Sequence, residues 1–420
     1  MPGQNGYATE VYKNCKGSKD REIVAFAQWM GLHPSEIAAR NEVIEEAMQV
    51  IHETLPDIST DVYGSHVTGL ALPMSDVDIR VHRDDFKEGE SDLSFSDEDP
   101  ALVHNEGDPT LAPNSGDSTL TSNEALPIEA LVESFKERSD FTNIRFYSSA
   151  RAPLLAVTHA RTGMDVQIVA GPSTKHSQEV VRTYLAQYPN LKALYSVVKT
   201  MFDMRDLTDV YNGGFGSYSI FMMIIASLAK SGQQNKSIGQ QLLDVLDFIG
   251  NFDTINSGIS VEPPMNFPKG GTAHNCLWDG IQQHSATHIM WRHKDFEYLL
   301  CLQDPADPHN DLGRQSFAIK YVQATMREVH NQLKDQLAAG PPPNNSSILT
   351  NAVGTCDRIY DPRRADMELY GEECMAGGEH NQRLPSQVLE EKNVRAGMTT
   401  IRNSLSRNRS IFRAGTEADT

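Results

Sequence analysis

The chain has 420 residues, 39% hydrophobic and 7% aromatic, enough to bury one large core or two smaller ones, with two domains plus tails as the natural expectation. Its formal net charge of −19 looks wrong for a protein that grips nucleic acid through a basic surface, but residues 84–124 hold twelve acids and one lysine, a net −11, so much of the excess is local. Five cysteines (Cys15, Cys276, Cys301, Cys356, Cys374) without a C-x-x-C pair argue against a disulfide framework and a zinc site, and the longest apolar stretch, 218–229, falls short of the ~20 residues of a membrane span.

In chain order, residues 34–55 place Ile37, Val43, Ile44, Met48 and Ile51 at helical spacing behind Pro34-Ser35, with Pro56 closing the run. The stretch 61–63, a Gly64-Ser65 turn and then 77–82 follow, where Val77, Ile79 and Val81 alternate as in a strand. The acidic stretch 84–124 is rich in Gly, Pro, Ser and Asp and lacks any sustained period, which predicts a disordered insertion. A helix is expected over 125–138 and strands over 151–159 and 164–170. Helices are expected over 176–188, 190–205, 216–230, 237–249, 290–303 and 315–338. The change from strands to helices near Gly171-Pro172 predicts an α+β architecture in two domains. The Pro-rich run 341–343 marks a further boundary, and beyond it the chain is polar, with six basic residues and no acid over 392–414.

The chemistry concentrates at Asp76-Val77-Asp78, ten residues after Gly64-Ser65. Residues two apart on a strand share a face, so Asp76 and Asp78 project together. Two carboxylates on one face are costly without a cation. Asp165, alone in the apolar run MDVQIVA, can join them from a neighbouring strand. Three carboxylates suit hard Mg²⁺ and a two-metal displacement on a nucleoside triphosphate. The Gly64-Ser65 turn lets backbone approach the phosphates and offers N–H and hydroxyl donors to them.

The stretch YGSHVTGLALPMSDVDIRV resembles the DNA polymerase beta-like nucleotidyltransferase superfamily, and within it the noncanonical poly(A) polymerases of nuclear RNA surveillance and their uridylyltransferase cousins. Two downstream stretches extend the resemblance. PNLKALYSVVKTMFDMRDLTDVYNGGFGSYSIFMMIIASL is similar to the family's lysine-bearing helix, Gly-Gly loop and Ser-Tyr helix start. LCLQDPADPHNDLGRQSFAIKYV is similar to its nucleotide-recognition signature. Together these cover about residues 18–335.

The resemblance implies a nucleotidyltransferase domain at 56–172, interrupted by the insertion 84–124, in which a mixed sheet is flanked by helices. It also implies a mainly helical PAP-associated central domain at 173–338, with the active-site cleft between the two. Residues 18–55 are expected to form helices packing on the central domain, between an N-terminal tail at 1–17 and a largely disordered tail at 339–420. By the same resemblance the activity is template-independent transfer of AMP from ATP to RNA 3′ ends. Asp76, Asp78 and Asp165 are the catalytic carboxylates and hold two Mg²⁺ (or Mn²⁺) ions.

Lys199 and Ser217 are the implied triphosphate ligands beside Gly64 and Ser65, and Tyr218 the implied stacking partner of the base. The resemblance places Asp304, Asp307 and Asn310 against the base edge. Uridylyl-adding relatives typically carry histidine where this chain has Asn310, which favours adenine. The departures are Ala156 at the place of a family lysine, Val166-Gln167-Ile168 for an Ile-Ser-Phe run, and Asp203 for a second lysine, which would weaken the phosphate grip or leave Arg205 to share it. A terminal uridylyltransferase and an inactive scaffold in an RNA-processing complex stand as alternatives. The resemblance further implies a nuclear protein, with the cytoplasm as second choice, and a zinc-knuckle RNA-binding protein and an RNA helicase as partners (the TRAMP arrangement), while the short apolar stretches predict no membrane partner. The basic stretch 392–414 offers RNA a direct contact in place of a partner.

Overall fold

The computed structural model describes residues 15, 18–83, 128–148, 152–232, 236–269, 296–307, 310–339 and 347–376. The acidic insertion, the basic stretch 392–414 and all but Cys15 of the 1–17 tail lie outside the described residues.

Two helices open the described chain, α1 (Lys19–Trp29) and α2 (Pro34–Thr54). Proline in its first turn and a 2.6 Å bond from the His33 amide to the Glu36 carboxylate fix the start of α2. Ala39, Val43, Ala47, Val50 and Ile51 then form its buried stripe. Five strands follow: β1 (Ser59–Tyr63), β2 (Val77–His82), β3 (Phe141–Tyr147), β4 (Leu154–His159) and β5 (Asp165–Ala170). A short helix α3 (Ser65–Thr68) follows β1, and α4 (Ile128–Glu137) precedes β3. The sheet runs β1-β2-β5-β4-β3, with β2 and β5 parallel and the other pairs antiparallel. It is therefore the mixed sheet of an α+β fold.

Val77, Ile79, Val81, Val166 and Ile168 point into an apolar core shared with α2 and α4, while Asp78 and Gln167 alternate to the opposite face. Beyond the sheet come α5 (Lys175–Gln187), α6 (Leu191–Asp203), α7 (Ser217–Ser231), α8 (Ile238–Asn251) and α9 (Ile319–Ala338), with a two-stranded ribbon, β6 (Ser257–Ser260) and β7 (Met265–Pro268), before α9. These helices enclose a second core, in which Leu194, Val198, Phe202, Phe221, Ile225 and Leu246 meet Ile23 and Phe26 of α1.

Three expectations need correction. Residues 296–303 are turn and bridge, not helix: Leu302 pairs with Ile259 of the ribbon and Gln303 with Asp311. Leu299 and Leu300 are buried and Tyr298 half-buried in that bridged turn rather than on a helical face, and residues 290–295 lie outside the described residues. Residues 18–55 do not act as a unit on the helical core. The α1 helix packs there, whereas α2 packs in the sheet core, because its stripe faces β2 and β5. Finally, the stretch after residue 339 is not uniformly a loose tail. It forms α10 (Thr350–Val353) and a 19-residue helix, α11 (Asp357–Met375).

The α11 helix bridges both cores: Cys356 just before it and Tyr360 enter the helical one, while Met367 and Tyr370 enter the sheet one. Gly371 lies so close to α2 that a Cβ there would overlap the Ser35 carbonyl oxygen. Polar anchors add to this seam. Arg364 donates to the Glu36 carboxylate at 2.8 Å and to the Gly31 carbonyl at 2.9 Å. Tyr370 donates to Glu46 at 2.8 Å, and Glu46 in turn meets buried His159. Glu22 of α1, also buried, accepts from Ser347 and from the amides of Ile348 at 3.0 Å and Leu349 at 2.9 Å.

Candidate active site

The open face of the sheet gathers the carboxylates. Asp78 lies on β2 directly across from Tyr63 of β1 and Gln167 of β5. Asp76 precedes β2 by one residue and Asp165 begins β5. Tyr63 leads into Gly64, whose φ of +72° suits glycine, and any Cβ there would overlap the Asp78 carboxylate. The Gly64-Ser65 turn thus abuts Asp78, and Ser65 opens α3 beside it.

Electrostatics mark the group as unusual. Burial, then the neighbouring Asp76 charge, pushes the Asp78 carboxyl up to about 7, against a smaller opposing pull from Arg40. Burial and the Asp165 charge likewise raise Asp76, while Arg363 and Lys199 pull it back. Desolvated carboxylates pushed up by a neighbouring carboxylate are a donor set a divalent cation would satisfy. The three do not close to within 4.8 Å of one another, and among the described residues only His33, Glu36 and Glu368 do. Each flanking aspartate turns instead to a protein donor. Asp165 accepts from the Thr158 hydroxyl at 2.6 Å, and Asp76 accepts from the Gln167 amide at 2.7 Å. The His33 trio is a helix cap and ion-pair cluster, since Glu36 already takes Arg364 and the His33 amide.

Lys199, buried on α6, is near enough to influence Asp76, and its ammonium sits 2.5 Å from Asp203. Arg205 does not join it: its guanidinium donates to the carbonyls of Met201, Ala352 and Asn351 at 3.0, 2.7 and 2.9 Å. That corrects the expectation of a shared phosphate grip, because the side chain is consumed in holding α10. Ser217 opens α7 behind Gly216 and bonds to the buried Tyr195 hydroxyl. Tyr218 donates to Asp304 at 2.8 Å, and burial followed by that carboxylate pushes its phenol up. Asn310 donates its amide to the other Asp304 oxygen at 2.9 Å, and the Asp304 and Asn310 backbones are bonded at 3.1 Å. Tyr218, Asp304 and Asn310 are therefore one cluster. Asp307 contributes its carbonyl to the Asn310 amide at 2.9 Å.

Four residues about the carboxylates escaped sequence reasoning as members of the site: Arg40, Thr158, Gln167 and Arg363. Arg40 had a legible signal, a charge inside the apolar stripe of α2. Gln167 stood out as a departure without a role. Thr158 and Arg363 gave none, since their partners, Asp165 and Gly163, are set by strand pairing and by a helix from the far end of the chain.

Residues 20–185 match the family described as poly(A) RNA polymerase, mitochondrial-like, central palm domain. Over 309 residues the chain is 24% identical to the inactive noncanonical poly(A) RNA polymerase protein Trf4-2 of Drosophila melanogaster, covering 71% of this chain and 64% of that one. Over 332 residues it is 24% identical to poly(A) RNA polymerase cid14 of Schizosaccharomyces pombe, covering 76% and 41%. The chain thus spans less than two thirds of the length of these relatives. Among solved structures, the polymerase core of TRAMP, an RNA surveillance complex, superposes with a TM-score of 0.59 at 21% identity, covering 80% of this chain and 93% of that one. The structure of mtPAP in complex with ATPγS gives 0.56 at 14%, covering 81% and 74%.

Proposed function

We propose that this chain, which belongs with the noncanonical poly(A) RNA polymerases, adds AMP from ATP to RNA 3′ ends without a template. The observation that carries the reading is the set of three half-buried carboxylates on one open sheet face, with Asp165 acting on Asp76 and Asp76 acting on Asp78. A fold gains nothing from such repulsion unless a cation relieves it. Two Mg²⁺ (or Mn²⁺) ions held by Asp76 and Asp78, one of them also by Asp165, would activate the 3′-hydroxyl and offset the charge on departing pyrophosphate.

The remaining work falls to the chain's own groups. The Gly64-Ser65 turn brings backbone donors beside Asp78, and Lys199 and Ser217 would add a cation and a hydroxyl from the helical side, the triphosphate competing with Asp203 for the lysine. Tyr218 offers its ring to the base while its hydroxyl is tied to Asp304. Because a carboxylate oxygen only accepts, Asn310 must turn its NH₂ toward Asp304, leaving its carbonyl for a base that presents an amino group. Adenine does so at N6, whereas uracil presents only carbonyl acceptors at the corresponding place. Work on nuclear RNA with a zinc-knuckle RNA-binding protein and a helicase is part of the proposal, supported by the likeness to the TRAMP core.

Extension of an oligo(A) primer with each NTP separately, in Mg²⁺, is the test. ATP is expected to lead, and Asp76→Ala, Asp78→Ala together to reduce extension to about a thousandth or below, since several kcal/mol of barrier lowering goes with the ions. UTP preference would transfer the chain to the uridylyl-adding branch. No extension by the unaltered chain would favour the inactive reading, which the name of the fly relative keeps in view.

A further inference from the structure

Behind the carboxylates lie two buried arginines, Arg40 and Arg363, to which the proposed reaction gives no task. Arg40 of α2 is fully buried and forks onto consecutive carbonyls, Ser75 at 2.8 Å and Asp76 at 2.9 Å. It therefore holds the backbone of the first carboxylate at the entry to β2. The same turn is closed by Ser75, whose hydroxyl accepts from the Leu72 amide at 2.9 Å. Arg363 of α11, also buried, donates to the Gly163 carbonyl at 2.8 Å. Gly163 shapes the β4–β5 turn with a φ of +64°, two residues ahead of Asp165. One arginine thus holds the entry to each catalytic strand.

The two guanidiniums lie close enough to repel each other, and each is compensated from the acidic side: Asp76, Asp78 and Glu36 act on Arg40, and Arg363 acts on Asp76. A seam between helix and sheet does not need this. Apolar side chains of similar volume hold such a junction as well or better than buried charges. Two cations placed behind an anionic cluster, bonded to the backbone that carries it, serve the cluster.

We propose that Arg40 and Arg363 are positioning residues for the metal ligands, so that α11, the last helix among the described residues, completes the active centre from behind. The proposal rests on Asp76, Asp78 and Asp165 being metal ligands. Arg40 fixes where Asp76 projects, and Arg363 fixes where Asp165 projects.

The test measures Mn²⁺ binding to the full chain by loss of the free-ion EPR signal, beside kcat and KM for ATP in primer extension at varied Mg²⁺. Arg363→Gln is expected to weaken Mn²⁺ binding and raise the half-saturating Mg²⁺ by about 10–100-fold, with KM for ATP at saturating Mg²⁺ within about twofold of wild type. Arg363→Lys, which keeps the charge, should fall between. Arg364→Gln loosens the same helix from Gly31 and Glu36 and should lower the melting temperature without moving the Mn²⁺ constant.

Equal Mn²⁺ effects from Arg363→Gln and Arg364→Gln, or none from Arg363→Gln, would overturn the proposal. Should Arg363→Gln not fold, Arg40→Lys decides: it retains charge but cannot bridge two carbonyls, and a wild-type Mn²⁺ constant in it sinks the idea. A wild-type chain that binds Mn²⁺ yet extends no primer counts against the polymerase reading alone.

Discussion

At Asp78 the carboxyl takes its proton at about 7 in the folded chain, against ~3.9 for a free aspartate. Because the folded value is the higher, the folded state binds the extra proton between those limits, and metal-free stability falls as pH rises through that window. The metal-free melting temperature should therefore drop between about pH 5 and pH 8, and Asp78→Asn should flatten the slope. Added Mg²⁺ should recover the loss at the upper pH and do little at the lower, where protons compete for the ligands. Differential scanning calorimetry at both pH values checks this, and an unchanged slope in Asp78→Asn would contradict it. The aspartates were legible in the sequence because strand alternation puts Asp76 and Asp78 on one side. The residues that hold them were not. Gln167 and Thr158 reach Asp76 and Asp165 only through the β5 pairings with β2 and β4.

Among the elements, those with a strong apolar period were readable and those without were not. The α2 helix, β2 and β5 follow from spacing alone, whereas β3 buries only Phe141 among its seven residues and kinks at Asn143, so little alternation announces it. The α11 helix was hidden for a different reason. Its buried side includes Arg363, Arg364 and Gly371 beside Tyr360, Met367 and Tyr370, and thus reads as polar. Gly371 is the sharpest constraint in that helix. A methyl group there meets the Ser35 carbonyl oxygen of α2 and must force the helices apart. Gly371→Ala should destabilise the chain by about 2 kcal/mol or more despite the gain in helix propensity. Urea unfolding gives the value, and a stabilised variant would refute the packing described.

For the molecule as a whole, the ends of the described chain are tied together. Glu22 near one end accepts three hydrogen bonds from 347–349 near the other. Glu22→Ala would strand two buried amides and a hydroxyl, a loss of about 2–4 kcal/mol, while Glu22→Gln should lose less because its carbonyl oxygen still accepts. Thermal melts of both variants test that order. The division between a sheet-bearing part and a helical part was legible from composition, but the crossing of α11 over both was not, since no local signal reports a partner more than three hundred residues away.

That separation also has a consequence in time. Made from the N-terminus, the chain holds β2 and β5 long before α11 exists, and Gly163 must wait two hundred residues for Arg363. Until then the face of α2 that receives Met367 and Tyr370 is bare, an aggregation-prone state of the kind chaperones attend. The acidic cluster meanwhile has Arg40 behind it but not Arg363, so on the positioning proposed for Arg363 a growing chain reaches full metal affinity only after α11 is made.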